Sequence, residues 1–445
     1  MGLLGRYVVF LGKGRTSPTL NAVHPRIPTR ASSSFSGIPN PLPAALLRGG
    51  TSKGIFINRL HLPPTRTDWS PIFLRIMGSP DPEHGRQLDG MGGGVSSVSK
   101  IMVVGPPPSH AAAQGVDIEY TFAQVGIRDA EIDYSGNCGN LTSMVGAFAV
   151  DEGICTPRIN KSITFNQNIS DHFVGTVRMW NTNTNKEVHA TFPVSSNSEP
   201  VLDLQQVSIA GIPGKASQIL LNFVDPAGAR TGKLLPTGNA VDTRTISHES
   251  GSRTHAFSLV DATNPTVFVT SQDLFASQTL PFEDIYTHGD AKGLLENIER
   301  IRRSGAEAMN LDPAAQAQPK IAILGFPSPE PESHTFSSLP DGHPIDIDVQ
   351  AFSMGVLHRA VPMTVGLCLG VAASIEGTLA HTILMQARAQ RSGHADPERL
   401  KQGLIRLRHP SGVVDVGAEF GKGGRVASAQ VVRTGRRLMQ GAVWW

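Results

Sequence analysis

Three short segments of this 445-residue chain combine glycine with basic, hydroxyl or thiol side chains, the residue types that bind anions and move protons. They are RGGTSKG at 48–54, GMGGGVSSVSK at 90–100 and GNCGN at 136–140. Glycine lets the backbone approach a ligand closely, while amides, hydroxyls and cations donate hydrogen bonds to its oxygen atoms. We therefore expect an anion site with two groups able to carry a proton, Lys100 and Cys138.

The order of these residues argues against a nucleotide phosphate as the anion. A P-loop requires G-x-x-x-x-G-K-[ST], which RGGTSKG does not match. The dinucleotide pattern G-x-G-x-x-G fails in GMGGGV because Val95 occupies the place of the last glycine. A carboxylate, which the same donors bind, is the better ligand.

Cys138 lies between two Gly-Asn pairs at the predicted start of a helix. The unpaired amides and the positive end of the dipole at such a start lower the pKa of a thiol, and they also bind carboxylates. The alternative is a small buried cysteine that packs beneath a turn. Cys155 and Cys368 lack this setting and are predicted to be structural.

Further hydroxyl, amide and imidazole groups occur in LPTGN (235–239), MGVLHRAVPMT (354–364) and RHPSG (408–412). Each segment alone is more typical of a turn than of a site, so the prediction depends on the set. The candidate substrate-binding residues are Arg48, Thr51, Ser52, Ser96, Ser97, Asn137, Gly139, Asn140, Thr237, Gly238, Asn239, Met354, His358, His409, Ser411 and Gly412.

The composition narrows the class of protein. A net charge of +2 is too small to indicate nucleic-acid binding, and the longest apolar stretch, 363–374, is too short to span a bilayer. Three cysteines without C-x₂-C spacing argue against a disulfide scaffold and a zinc site, and they favour a reducing, intracellular compartment. We expect a protein that binds neither nucleic acid nor membrane and holds no metal.

The elements that position these residues form two halves of like design. Each half mixes strands with one apolar helix, whose start follows a Gly/Asn or a His/Pro turn, and this layout predicts a cleft between the halves. In the first helix, Leu141, Met144, Val145 and Phe148 follow helical spacing. Further helices are predicted at 70–78, where Gly78 ends the helix, at 290–309 and at 363–374, and strands are predicted at 42–48, 54–57, 99–107 and 116–127. The predicted units are an N-terminal extension (1–38), two domains (39–200 and 201–424) and a C-terminal segment (425–445) that returns to the first domain.

The N-terminal extension differs from the rest in composition. It is rich in arginine and serine, and no acidic residue occurs before Asp68. This composition is typical of an organelle transit peptide, which would place the chain in the mitochondrial matrix. A disordered tail on a cytoplasmic protein is the alternative.

Six segments, in order, resemble the PrpF family of 2-methylaconitate cis-trans isomerases and the related aconitate and methylitaconate Δ-isomerases and oxalomesaconate tautomerases. They are LLRGGTSKG, GMGGGVSSVSK, SGNCGNLTSMVGAFAVDEG, LPTGN, MGVLHRAVPMT and RHPSG, and the resemblance runs from about residue 41 to the C-terminus. It implies a diaminopimelate-epimerase-like α/β fold, with two similar domains, each a mostly antiparallel sheet wrapped round a central helix. The active site would lie in the cleft between them.

The resemblance also implies proton transfer without a cofactor, with the family's lysine at Lys100 and its cysteine at Cys138. On default pKa values the thiol is the better base, since about 3% is ionised at pH 7 against about 0.04% free amine for lysine. Burial and nearby cations lower the pKa of a lysine, so the residues alone leave the choice open. The resemblance favours Lys100 as principal acid/base, with Cys138 assisting or positioning.

Three alternatives to an aconitate-type isomerase remain. One is an oxalomesaconate-type keto-enol tautomerase, whose substrate differs from the aconitates by one substituent. An amino-acid epimerase of this fold uses two opposed thiols, and the second helix begins at HRAVPMT without a cysteine. A carboxylate-binding protein would keep the pocket without the chemistry. The insertion-like segment 325–344 leaves the identity of the substrate open. The sequence also leaves the oligomeric state open, with a homodimer as the assembly to test.

Overall fold

The structure is a computed structural model that describes residues 37–160, 173–248, 251–274, 291–316, 318–327, 344–353, 356–358, 360–390 and 403–445. Within it, Pro39–Trp445 forms one compact unit. The transit-peptide prediction falls almost entirely outside the described residues, as does most of the insertion-like segment.

The helices follow the predicted pattern. The small-residue helix at 363–374 and the helix at 290–309 are present, and α1 ends at Gly78 in the left-handed conformation, as its glycine predicts. The helices are α1 (Ser70–Met77), α2 (Ser109–Ala112), α3 (Gly139–Asp151), α4 (Ser271–Leu274), α5 (Ala291–Ala308), α6 (Met363–Ala373) and α7 (Leu379–Ala389).

The described strands form a continuous, mostly antiparallel sheet. They are β1 (Leu42–Gly49), β2 (Ser52–Asn58), β3 (Lys100–Gly105), β4 (Ile118–Val125), β5 (Ile132–Asp133), β6 (Arg158–Asn160), β7 (Phe173–Asn181), β8 (Lys186–Val194), β9 (Ile219–Val224), β10 (Asp242–His248), β11 (Gly251–Ala262), β12 (Asn264–Thr270), β13 (Lys320–Gly325), β14 (Ile347–Ser353), β15 (Val356–His358), β16 (Leu404–His409), β17 (Gly412–Phe420), β18 (Val426–Arg433) and β19 (Gly435–Val443). Hydrogen bonds join them in the order β10–β11–β12–β13–β14–β16–β17–β18–β9–β8–β7–β4–β3–β2–β1–β19. The short strands β15, β6 and β5 pair with β14, β7 and β4.

The sheet wraps round two central helices. β1, β2, β3, β7, β8, β9 and β19 pack on α3, and β11, β12, β16, β17 and β18 pack on α6. Helical spacing predicted one apolar face on α3, but the whole run Leu141–Ala149 is buried, as is Val365–Ala373 in α6. Both helices are buried on every side because strands surround them, which confirms the fold class that the resemblance implied.

The last two strands complete the sheet around the two central helices. β18 pairs with β17 on one side and with β9 on the other, so it joins the strands around α6 to those around α3. The chain then turns at Thr434 into β19, which pairs along the whole of β1. Since Pro39–Trp445 is one compact unit, the division into domains at residue 200 stays a prediction.

Candidate active site

The start of α3 places Cys138 where a helix leaves its first amides unpaired. Cys138 is the N-cap residue and is partly buried, and its carbonyl accepts hydrogen bonds from the amide and hydroxyl of Thr142, at 2.9 and 3.0 Å. The thiol donates a weak hydrogen bond to Ser52 Oγ at 3.9 Å. The thiol therefore lies at the positive end of a helix that is buried on every side.

The turn between β1 and β2 packs directly on this helix start. A Cβ on Gly49 would lie 2.2 Å from the carbonyl oxygen of Asn140, and one on Gly50, which has a φ of 50°, would lie 2.2 Å from its side-chain oxygen. Asn140 Nδ2 donates to Thr51 Oγ1 at 3.0 Å. The two glycines thus allow a close approach that brings Thr51 and Ser52 to the start of α3.

Lys100 enters the site from the first position of β3. Its side chain is 8% exposed, its ammonium donates to the Gln124 side-chain oxygen, and it lies 5.1 Å from the centre of the Phe122 ring. Burial lowers the pKa of Lys100, and the charge of the Cys138 thiolate opposes this effect. The structure therefore brings the two predicted proton carriers within electrostatic reach of each other.

A buried network holds the chain just before Lys100. Gln87 has no exposed surface, and its side-chain oxygen accepts from Ser99 Oγ at 2.6 Å. The predicted binding residues Ser96 and Ser97 lie between Gln87 and Ser99, in a 3₁₀ turn. Ser96 is exposed and Ser97 is partly buried. This network anchors the glycine-rich loop, so the backbone leading to the catalytic candidate is fixed by side-chain contacts.

Arg48 does not reach this cluster. In the β1–β2 hairpin it pairs with Lys53, one position away from the Gly49–Ser52 pair that faces α3. Successive residues of a strand face opposite sides, so Arg48 points to the other face of the sheet. There it borders a cavity of about 730 Å³ together with Arg436. Burial and the charge of Arg436 lower the pKa of Arg48.

The starts of the two central helices meet. A Cβ on Gly139 would lie 1.9 Å from the sulfur of Met363, the first residue of α6. A cavity of about 570 Å³ lies at this contact and is lined by Asn137, Gly139, Met363 and Thr364, among others. It gives a ligand access to the backbone on both sides of Cys138.

The predicted LPTGN segment forms a closed turn. Thr237 Oγ1 and Asn239 Nδ2 donate to the two carboxylate oxygens of Asp242, at 2.7 and 2.8 Å, around Gly238 at a φ of 86°. These side chains are engaged with Asp242, as expected of a turn.

This turn lies at the far end of α6. The carbonyl of Ala240 accepts from Ser258, whose oxygen also accepts from the amide of Leu379, the first residue of α7. Thr263, which follows the last residue of β11, donates to the carbonyl of Thr364, at the start of α6. The structure therefore does not bring Thr237, Gly238 and Asn239 together with Cys138.

The RHPSG turn between β16 and β17 lies nearer the first half. His409 is buried and its Nδ1 accepts from the amide of Ser411 at 3.2 Å. Gly412 has a φ of 131°, and a Cβ on it would lie 2.7 Å from the Cβ of Ala210. Gly211, the next residue of the loop that contains Ala210, lies beside Thr51. One loop therefore links this turn to the β1–β2 turn.

The remaining candidates come from the segment before α6. His358 ends β15 and is exposed. Met354 lies outside the described residues. The structure does not place His358 in the Lys100–Cys138 cluster.

Sequence reasoning missed two residues that belong to this cluster, Gln124 and Arg433. Gln124 accepts from Lys100 and donates to the carbonyl of Ser99 at 2.9 Å, so it holds the ammonium in place. Arg433 ends β18 and is buried, and the charge of Cys138 acts on its pKa. Neither residue lies in a recognisable motif, and the signal available was a polar residue near the end of a largely apolar strand.

Comparison with known proteins gives a consistent match. A family model described as PrpF protein covers residues 40–445. The 3-methylitaconate isomerase of Eubacterium barkeri is 34% identical over 91% of this chain and 97% of its own length. The 2-methyl-aconitate isomerase of Shewanella oneidensis is 34% identical over 90% of this chain and 96% of its own length. A crystal structure of methylitaconate-delta-isomerase matches at a TM-score of 0.71 and 32% identity, and the match covers 91% of this chain and 95% of that one.

Proposed function

The chain belongs to the PrpF family and is an isomerase, and on that premise we propose that it moves a C=C bond by allylic proton transfer in an unsaturated di- or tricarboxylate. The substrate is of the aconitate or 2-methylaconitate type, and conversion of cis-aconitate to trans-aconitate is one such reaction. The observation that carries the proposal is a buried lysine, Lys100, beside a thiol at the start of a buried helix.

The reaction needs one base and a site for negative charge. The free amine of Lys100 removes a proton from the carbon next to the double bond, and the electron pair of the broken C–H bond shifts to give a dienolate. The same ammonium then returns a proton at the far carbon, so that the double bond has moved and no cofactor is consumed. Cys138 assists or positions this transfer.

The dienolate charge falls on a carboxylate of the substrate and must be held by donors. The unpaired amides at the start of α3 suit this task, and Asn140 and Thr51 extend the donor set on the side of the β1–β2 turn. Burial of Lys100 lowers its pKa toward working pH, which is the condition for efficient proton transfer.

The position of the cysteines favours this reaction over epimerisation. An epimerase mechanism needs a second thiol opposite Cys138, yet α6 begins with Met363. Cys368 lies within α6, where burial raises its pKa to about 12. Cys155 is also held protonated, because burial raises its pKa to about 12.

The decisive experiment is isomerisation in D₂O followed by NMR. Purified protein is incubated with cis-aconitate, trans-aconitate, 2-methylaconitate and oxalomesaconate, and the spectra report both the product and the position of deuterium. We expect a shifted double bond with deuterium at the allylic carbon for one of the first three acids. Turnover of oxalomesaconate alone indicates the tautomerase, and no exchange with any acid indicates a carboxylate-binding protein.

We propose further that residues 1–38 direct the chain to the mitochondrial matrix. Their arginine-rich, acid-free composition supports this proposal. As a separate finding, no described helix is long and apolar enough to cross a membrane. A fluorescent protein fused behind residues 1–38 should co-localise with a matrix marker, whereas a fusion to residues 39–445 should stay in the cytosol. Cytosolic fluorescence from the first fusion would contradict the targeting proposal.

A further inference from the structure

Arg433 is a buried guanidinium without an ion-pair partner among the described residues. Its side chain is 8% exposed, and its one hydrogen bond runs from Nη1 to the carbonyl of the preceding residue, Val432, at 2.9 Å. The Nε group has no hydrogen-bond partner. A charged group in this state loses its hydration without replacement, which disfavours the folded chain.

Other buried arginines among the described residues are paired. Arg408 is 7% exposed and contacts the Asp348 carboxylate through two nitrogens, at 2.7 and 2.6 Å. Arg406 contacts Asp415 in the same two-point manner, at 3.0 and 3.2 Å. Where an arginine has a structural role in this part of the fold, a carboxylate therefore accompanies it, and Arg433 stands apart.

The position of Arg433 indicates which carboxylate would pair with its guanidinium. It ends β18, at the junction of the strands around α3 with those around α6, and the next residue bonds to the β1–β2 turn through Gly50. Burial lowers the pKa of Arg433 to about 10, while the charges of Cys138 and Asp415 oppose this effect. Arg433 and Lys100 thus both lie within electrostatic reach of the same thiol.

We propose that Arg433 binds a carboxylate of the substrate at the Cys138 thiol and is a specificity-determining residue of the site. The inference rests on the proposed function, since it assigns the carboxylate next to the carbon that loses its proton. The planar fork of a guanidinium matches the two oxygens of a carboxylate, which a lysine ammonium does not. Arg433 thereby takes the role that the sequence assigned to Arg48, on the other face of the sheet.

The test measures binding without turnover. Tricarballylate is a saturated tricarboxylate with no double bond to move, and its dissociation constant can be measured by calorimetry. Replacing Arg433→Met should weaken tricarballylate binding by about 10- to 100-fold, as expected for loss of a charge-assisted hydrogen-bonded pair. Arg436→Met is the matched control, because Arg436 is exposed, lies three residues further on and borders the separate basic cavity.

Thermal stability separates binding from a structural role. Removing an unpaired buried charge should leave the melting temperature of Arg433→Met unchanged or raised, whereas a structural arginine would leave it lower. A folded Arg433→Met that binds tricarballylate as tightly as the wild type would overturn the proposal. So would a wild-type protein that does not bind tricarballylate.

A second variant covers the case in which Arg433→Met does not fold. Arg433→Lys keeps the charge but loses the fork, so it should fold and bind tricarballylate about 10-fold more weakly; unchanged affinity would count against the proposal. Failure of the isomerase function is seen separately, as tricarballylate binding without turnover of any unsaturated acid.

Discussion

At the scale of single residues, the site divides its work between a buried amine and a thiol. Lys100 is held by Gln124 and shielded from water, while Cys138 lies at the positive end of a helix dipole. Default pKa values favoured the thiol as base, but burial of the lysine changes that balance because it stabilises the neutral amine. The environment therefore supports the role that the family resemblance assigned to Lys100.

Replacing Lys100→Ala should lower kcat by about 10²- to 10⁴-fold, the usual contribution of a positioned acid/base group. Lys53→Ala is the matched control, because Lys53 is exposed and faces away from α3. Both variants are measured for kcat with the acid identified by NMR and for folding by circular dichroism. A folded Lys100→Ala variant with near-normal turnover would rule out the lysine as principal base.

Replacing Cys138→Ser should keep measurable activity and shift its pH dependence. The free amine is the active base, so the rate rises with pH, with a midpoint below the ordinary lysine pKa of 10.5. The thiolate charge raises the pKa of Lys100, so its removal should move the rising limb of kcat/KM to lower pH. Total loss of activity would instead reverse the roles of the two residues.

At the scale of elements, the site depends on close approach between backbone segments. The β1–β2 turn and the start of α6 both pack on the start of α3, at positions where glycine leaves room. No side chain larger than hydrogen fits at Gly49, because the backbone oxygen of Asn140 occupies that space. The placement of the Cys138 thiol is thus a consequence of how the β1–β2 turn and the start of α6 pack on α3.

Gly49→Ala should displace the start of α3 and reduce activity. A methyl group 2.2 Å from the Asn140 carbonyl cannot be accommodated by a rotamer change, so backbone must move, at a cost of about 1–3 kcal/mol in the free energy of unfolding. Gly441→Ala in β19 is the control, since nothing lies within 4 Å of its Cβ position. Urea unfolding and kcat would show the difference, and equal values for the two variants would contradict it.

At the scale of the whole molecule, the C-terminal strands complete the sheet round both central helices. β18 joins the two sets of strands and carries Arg433, and β19 covers β1 along its full length. The terminal Trp445 indole donates to the carbonyl of Pro39 at 2.8 Å. The first and last strands of the compact unit therefore depend on each other.

Deleting residues 435–445 should leave an insoluble or unfolded chain. Without β19, β1 keeps only β2 as a hydrogen-bonding partner and becomes an exposed apolar edge, which promotes aggregation. Deleting residues 1–38 should leave the melting temperature and kcat unchanged, because Pro39–Trp445 is a compact unit by itself. Soluble expression and thermal unfolding of the two truncated chains would check this, and a soluble, fully active chain without β19 would contradict it.

Sequence reasoning predicted the local elements well, because their signals are local. The strands β1–β4, the helices α3, α5 and α6 and the end of α1 at Gly78 follow from spacing, turn residues and capping. These local signals predicted no helix at α7. They also could not show that α3 is buried on all sides, since this depends on strands far away in the chain.

By itself, the sequence determined the family, the fold class and the pair Lys100 and Cys138, because these depend on short motifs in a fixed order. Only the tertiary structure decided which other residues join that pair. Strand alternation turned Arg48 away, the path of β11 placed the LPTGN turn at the far end of α6, and the pairing of β18 with β9 brought in Arg433. The physical reason is that the face and the end of an element on which a side chain lies are set by long-range pairing, which no local pattern records.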